Sequence, residues 1–323
     1  MGLSMIRKQL FEAVAVDPAL TKNQMLSMVL KHKFGLLNGR FISGIPRDWN
    51  NFALQQINSI SDENVKIRLK DVLRSLEQAG ALISENSSFD RSKPWIQAAA
   101  SESSRKVFNV LLSDENIEFN PLYTSQNIDE YIEQSDERVG YLDVSLLREA
   151  KDFIPVLAPF LKKHKKVVLV NRHQWLLSTR KEKDLFETVF QHWASQGGVD
   201  FTVVRSSVEK RDDPRPFTSN WNNEKNLLSK YLGRIKYSGV FRFIAVNDEQ
   251  NRLHHRYLLG NYCGLSMGYG FEIVSKPHPW ELMNRAHFLD AKEKFFTGDV
   301  LVLYPDYKMF SYALNGKRIS ETP

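Results

Sequence analysis

Three short β-prone runs divide the middle of the chain: Val167-Val168-Leu169-Val170, Phe201-Thr202-Val203-Val204 and Val240-Phe241-Arg242-Phe243-Ile244-Ala245-Val246. No other feature restricts the fold as much. Apolar runs this short, bounded by charge, read as strands buried on both faces rather than as helices. Between the first two, Glu182 to Ser195 carries Leu185, Phe186, Val189, Phe190 and Trp193 on one helical face. Between the last two, Glu224 to Leu232 has a helical pattern. Strand–helix alternation requires crossover connections, so an α/β fold with a partly parallel sheet is predicted. A turn at Asn247 to Asn251 then leads directly into a further strand, which places a hairpin at one side of the sheet.

That further strand, Leu253 to Leu259, breaks at Gly260-Asn261 and is followed by a glycine-punctuated return, Gly264 to Phe271. Strand alternation puts His254, Arg256 and Leu258 on one face and His255, Tyr257 and Leu259 on the other. His254 and Arg256 therefore form an anion-binding pair. His255, on the opposite face, is expected to be a buried or interfacial structural residue. His278, in Lys276-Pro277-His278-Pro279, reads as a rigid-turn residue. His173, after Arg172 at a strand end, reads as a loop histidine where parallel sheets also place ligands.

Residues 1–115 read as a mainly helical domain. Thr21-Lys22-Asn23-Gln24 resembles a capping box ahead of Met25 to Leu30, and Gly35 stops that helix. Ser61-Asp62-Glu63 starts a second helix with Val65, Leu69, Val72, Leu73 and Leu76 on one face and Gly80 as its stop. The short strand Ala81 to Ser84 makes the ending resemble a winged-helix module; a plain helical bundle fits the same pattern. Asp114-Glu115-Asn116 marks the boundary to an α/β domain over 116–323. There, Ile117 to Tyr123 and Val139 to Val144 read as strands. Ser145 to Leu161 reads as a helix kinked or broken at Pro155 and Pro159. The polar segment Ser206 to Asn223 is too long for a turn and is a candidate substrate loop. The tail adds a helix near Trp280 to Ala286, a strand at Asp299 to Leu303 and a hairpin turn at Asn315-Gly316.

Charge narrows the class of partner. The net charge is +6, yet residues 160–260 hold 19 Lys and Arg against 10 Asp and Glu. A basic surface beside an anion pair suits nucleic acid better than a small neutral substrate; the bland reading is a solvated lysine-rich face. One cysteine excludes an internal disulfide, and no Cys/His cluster has zinc spacing, so neither a metal nor another cofactor is expected. No apolar run has the length of a membrane span, and no signal peptide is read at the N-terminus, so the cytoplasm is the expected location and no membrane partner is expected.

The spacing His254-x-Arg256-x(4)-Asn261-x(6)-Gly268 resembles the phospholipase D superfamily signature, H-x-K-x(4)-D-x(6)-G-S. The likeness covers about residues 118–320 and is closest to single-motif members of bacterial defence and restriction systems. It implies an α/β mixed-sheet sandwich and a metal-independent phosphodiesterase, acting on nucleic acid with DNA ahead of RNA. His254 would be the nucleophile on phosphorus and Arg256 the phosphate clamp. Asn261 stands at the Asp position and Gly268-Tyr269 at the Gly-Ser position, with Ser266 nearby. Glu281, or Glu272 as second choice, would support the histidine. Lys165, Lys166, Arg172, Lys210, Arg211 and Arg215, with Asn222 and the Lys162–Lys166 run, would contact the backbone. Because one motif copy supplies one imidazole, a homodimer is implied, with a larger defence complex as a further partner. Arg, Asn and Tyr at the Lys, Asp and Ser positions preserve anion binding better than turnover, which keeps a non-catalytic nucleic-acid-binding or adaptor subunit open.

Overall fold

A computed structural model describes residues 8–84, 89–105, 108–115, 117–172, 180–206, 217–246, 253, 255–271, 273, 276–296, 307–313 and 317–322. The chain is mixed α/β and divides into two units, Met1–Tyr141 and Leu142–Pro323.

In the first unit, β1 (Glu12–Val16), β2 (Arg40–Gly44), β3 (Leu82–Ser84), β4 (Val110–Leu112) and β5 (Leu122–Tyr123) form a parallel sheet in the order β3-β2-β1-β4-β5. The helices α1 (Gln24–Lys33), α2 (Trp49–Asn58), α3 (Glu63–Gln78), α4 (Trp95–Glu102) and α5 (Ile128–Asp136) complete it. α3 follows its sequence signals closely, whereas α1 forms where expected but is capped by Asn23 rather than by Thr21, whose hydroxyl donates to Pro18 O. The Asn23 side chain accepts the Leu26 N–H at 3.1 Å to open α1, and Asp62 caps α3 by accepting from Asn64 and Val65. Leu69, Val72, Leu73 and Leu76 are the buried face of α3, and Gly80 takes the left-handed conformation after it (φ 67°).

The expected helical domain is therefore corrected to a parallel α/β sheet. Charged residues that look like surface are buried in its strands. Glu12 is 1% exposed and accepts from Tyr131 Oη (2.8 Å), Ser135 Oγ (2.7 Å) and Arg138 Nε (2.8 Å). Arg40, 2% exposed, donates to Ser135 Oγ at 2.7 Å and pairs with Asp136. Buried charges persist where such partners satisfy them. The strand at Leu82 is no hairpin wing, since it pairs in parallel with β2. The division also falls after Tyr141 rather than at 115/116, because β5 and α5 complete the first unit.

The second unit holds α6 (Phe153–Lys163), β7 (Lys166–Val170), α7 (Arg180–Ser195), β8 (Asp200–Ser206), α8 (Phe217–Arg234), β9 (Val240–Val246), β10 (Tyr257–Leu259), β11 (Gly264–Met267), β12 (Pro279–Leu282), α9 (Arg285–Phe295), β13 (Tyr307–Ala313) and β14 (Lys317–Thr322). With β6 (Tyr141–Asp143), at the junction of the units, its sheet has the order β14-β13-β9-β8-β7-β10-β11-β12-β6. β7, β8 and β9 are parallel. The pairs β7–β10, β10–β11, β11–β12, β9–β13 and β13–β14 are antiparallel.

The inward face of α7 packs Phe186, Phe190 and Trp193 against Phe201 and, for the two phenylalanines, Phe241, with centroids 5.2–6.1 Å apart. Each such buried ring contributes about 1.5–3 kcal/mol. Two element expectations change here. α8 begins at Phe217, so it takes in the last part of the expected loop and carries Asn222. Trp280 lies on β12, and the following helix starts only at Arg285 behind the Asn284 cap, whose side chain accepts the His287 N–H at 2.9 Å. The strand expected at 299–303 and the turn at Asn315-Gly316 lie outside the described residues. No helix of the described residues is long and apolar enough to cross a membrane.

Candidate functional site

The site is assembled by strand register. Tyr257 of β10 lies opposite Val170 of β7, so Arg256, the residue before it, comes alongside Asn171 at the carboxyl end of β7. Val170 is beside Val204, and the Asn171 N–H donates to Val204 O at 2.9 Å, which brings Arg205 to the same level. On the other side, Met267 N–H donates to Arg256 O at 2.9 Å and Gly268 N–H to Pro279 O at 3.1 Å. One end of the sheet thus carries Arg205, Asn171, Arg256, the Gly268–Gly270 return and His278, on strands that are about 4.8 Å apart. Arg172 reaches this end too, and its carbonyl accepts the Ser206 N–H at 3.2 Å.

Arg205 and Asn171 are both 2% exposed, while Arg256 is half-buried. Arg256 Nη1 donates to Gly268 O at 2.9 Å. Gly270 has φ 103°, and a Cβ there would stand 2.7 Å from Asn171 Nδ2 and 2.9 Å from Arg256 Cδ. The glycine return is therefore what allows the backbone to lie against both side chains. His278 fixes the other side of the return. It is fully buried, and its Nε2 accepts the Tyr269 N–H at 2.9 Å and Trp280 Nε1–H at 3.2 Å. Two donors on Nε2 require the proton to sit on Nδ1. Burial, with a further push from Arg256, lowers the His278 pKa to about 4 against the pull of Asp143. Asp143 accepts the His278 N–H at 3.0 Å, and this bond with the Ser145 contacts holds its carboxyl below the usual range. The end of the sheet is thus cationic, with a neutral imidazole behind it.

The opposite face of β10–β12 carries a second arrangement. Tyr257, Ser266 and Glu281 stand in one cross-strand row. Together with Leu253, His255 and the α9 residues His287, Asp290, Ala291, Lys294 and Phe295 they line a cavity of about 890 Å³. His255 is exposed and stacks on Tyr257 at 5.6 Å, so it is on the expected face but is a cavity residue rather than a buried structural one. Lys294 pairs with Asp290 at 2.8 Å. Burial, and then the Asp290 carboxylate, raise the Tyr257 pKa.

Of the residues expected at the site, Arg256 and Gly268 meet at the sheet end, and the Arg172 backbone reaches the same end. Ser266 and Glu281 meet each other in the cavity, on the face away from Arg256. Asn261 is exposed in the β10–β11 turn, at the opposite end of β10 from Arg256, and its carbonyl accepts from Lys292 Nζ at 2.8 Å. Lys165 and Lys166 sit at the amino end of β7, roughly 16 Å from Asn171 along the strand. Lys165 donates to Gln196 O after α7, and Lys166 donates to Phe296 O at 2.7 Å after α9. Both lysines thus cap helix ends. Asn222 is exposed on α8. His254, Glu272, His173, Lys210, Arg211 and Arg215 lie outside the described residues.

Sequence reasoning missed Asn171, Arg205 and His278 as members of the row. Asn171 and Arg205 follow buried strand runs directly, and polar residues at the carboxyl ends of parallel strands were the available signal. Among the described residues no group of three or more His, Cys, Asp or Glu is placed to hold a metal ion. Comparison with protein-family models, curated proteins and solved structures gave no match for this chain.

Proposed function

We propose that the second unit is a phospholipase D-like domain that binds the phosphodiester backbone of nucleic acid and cleaves it without a metal. The observation that carries this reading is the row Arg205–Asn171–Arg256 with Arg172 at one sheet end. Guanidinium groups held in a fixed frame bind phosphate oxygens in forked geometry and stabilise charge that develops on them. Arg256 is the clamp: it spends one donor on Gly268 O and has others to offer. His254, two residues earlier, is the nucleophile, and a second copy of the chain supplies the imidazole that protonates the leaving oxygen. The basic surplus of residues 160–260 adds salt-dependent, sequence-tolerant affinity, with DNA ahead of RNA. A bacterial defence role follows from the family resemblance alone.

One observation favours a second reading, a binding or adaptor subunit without turnover. Glu281 faces the cavity with Ser266, so it is not beside Arg256 to orient a nucleophile. Full-length protein, His254→Ala and Arg256→Ala should be assayed in EDTA on single- and double-stranded DNA and RNA. Cleavage by the wild type that is lost in His254→Ala supports the enzyme. Salt-sensitive binding without cleavage, weakened about tenfold or more by Arg256→Ala, supports the binding subunit. Binding unchanged by Arg256→Ala would remove the phosphate site from both readings. A protein that stays monomeric at every concentration and with substrate would rule out the two-imidazole mechanism.

A further inference from the structure

The cavity between α9 and β10–β12 has a composition that folding alone does not call for. A helix packed on a sheet normally turns an apolar stripe towards it. The α9 stripe that faces the cavity is His287, Asp290, Ala291, Lys294 and Phe295, at i, i+3, i+4, i+7 and i+8. Polar residues face it from the sheet: Tyr257, Ser266 and Glu281, aligned across three strands. Where a core would be filled to native density, about 890 Å³ is left open, a volume within the range of small-molecule sites.

The charges lining this space restrict what enters it. Lys294 is neutralised by Asp290, and the Asn284 side chain accepts from the His287 N–H. Glu281 is exposed to the cavity and has no ion pair among the described residues. An unpaired carboxylate repels phosphate and accepts from N–H donors; its two oxygens fit two parallel N–H groups best. Tyr257 and Phe295, with ring centroids 6.5 Å apart, add aromatic surface for a planar partner.

We infer that the cavity binds a nucleobase and that Glu281 selects guanine. Guanine is the base whose pairing edge presents two adjacent donors, N1–H and the 2-amino group, to a carboxylate. Adenine and cytosine each set a donor beside an acceptor on that edge, and the acceptor would face the carboxylate. The Ser266 hydroxyl and His287 imidazole line the same space and can serve the remaining edge. The choice of a base among planar donors rests on the nucleic-acid reading above. The pocket itself lies on the face of the sheet away from the Arg256 side chain.

Titration calorimetry of the full chain with guanosine, inosine, adenosine and free arginine tests this. Guanosine should bind, and inosine, which lacks the 2-amino group, should bind about tenfold to a hundredfold more weakly. Glu281→Gln, at an exposed position, should keep the wild-type melting temperature and bind guanosine no better than inosine. The inference is overturned if no nucleoside binds, if arginine binds in preference, or if Glu281→Gln retains full guanosine affinity. Binding of a single-stranded oligonucleotide by wild type and Arg256→Ala is measured in parallel. Oligonucleotide binding that needs Arg256, with no nucleoside bound, removes the base pocket and leaves the phosphate site standing. Loss of both removes the nucleic-acid reading as well.

Discussion

His164 makes the stability of the second unit depend on acid in a way that one substitution should isolate. It is completely buried, its Nδ1–H donates to Phe160 O at 2.7 Å, and its Nε2 accepts the Tyr262 N–H at 3.2 Å. Burial pushes its pKa down to about 3, helped by the nearby Lys163 and Lys292 ammonium groups. Protonation would bury a charge and set an Nε2–H against the Tyr262 N–H. The folded pKa lies below the unfolded value near 6.5, so the unfolded state takes up the proton first. Stability is therefore complete above about pH 6.5 and is lost as pH falls towards 3. One proton taken up on unfolding costs about 1.4 kcal/mol per pH unit, or roughly 2–3 kcal/mol between pH 6.5 and 4.5. His164→Gln keeps an acceptor for Tyr262 but cannot titrate. It loses the Phe160 bond and the ring contact, so it should be about 1–3 kcal/mol less stable than wild type at pH 7.5. Urea unfolding followed from pH 7.5 to 4.5 should show that gap narrowing by roughly 2–3 kcal/mol, with the two proteins close to equal at the acid end. His278 titrates in the same direction in both proteins and cancels in the difference. A gap that stays constant across this range would refute the assignment of a buried neutral imidazole at 164.

Three further outcomes follow from the packing. Gly260→Ala would place its Cβ 2.2 Å from His164 Cδ2; it should lower stability by about 1–3 kcal/mol and reduce the melting temperature. Gly233→Ala, near the end of α8 with nothing within 4 Å of the added Cβ, should be neutral or stabilise by up to about 1 kcal/mol in the same assay. Glu12→Ala strands Arg138 and the buried Tyr131 hydroxyl and should cost the first unit about 3–5 kcal/mol, read as a lower urea midpoint with the second unit unchanged.

How much could be read from residues alone follows the kind of force involved. α3 was legible because Asp62 caps it locally and a single apolar face gives it its period; α1 was legible in place, though its cap is Asn23 rather than the Thr21 of the capping-box pattern. β7, β8 and β9 were legible because continuous apolar runs have few alternatives. The sheet of the first unit was hidden because Glu12 and Arg40 resemble surface residues until partners a hundred residues away in the chain satisfy them. At the candidate site, alternation along β10 correctly separated Arg256 from His255. It said nothing of register, so the arrival of Asn171 and Arg205 beside Arg256 was out of reach. The same limit misplaced Glu281, which alternation within β12 turns away from Arg256 once Trp280 is buried on the other face.

β10 lies between β7, its partner from far earlier in the chain, and β11, its immediate successor. The β10–β11 hairpin can form as soon as it is synthesised, yet the row beside Arg256 closes only when that hairpin docks on a completed β7–β8 pair. Because β7 and β8 precede β10 in the chain, their frame is already synthesised when the motif emerges, and the row closes on it as the hairpin docks. The alignment of Arg256 with Asn171 and Arg205 is thus a late readout of correct folding, absent from any chain that ends before β10.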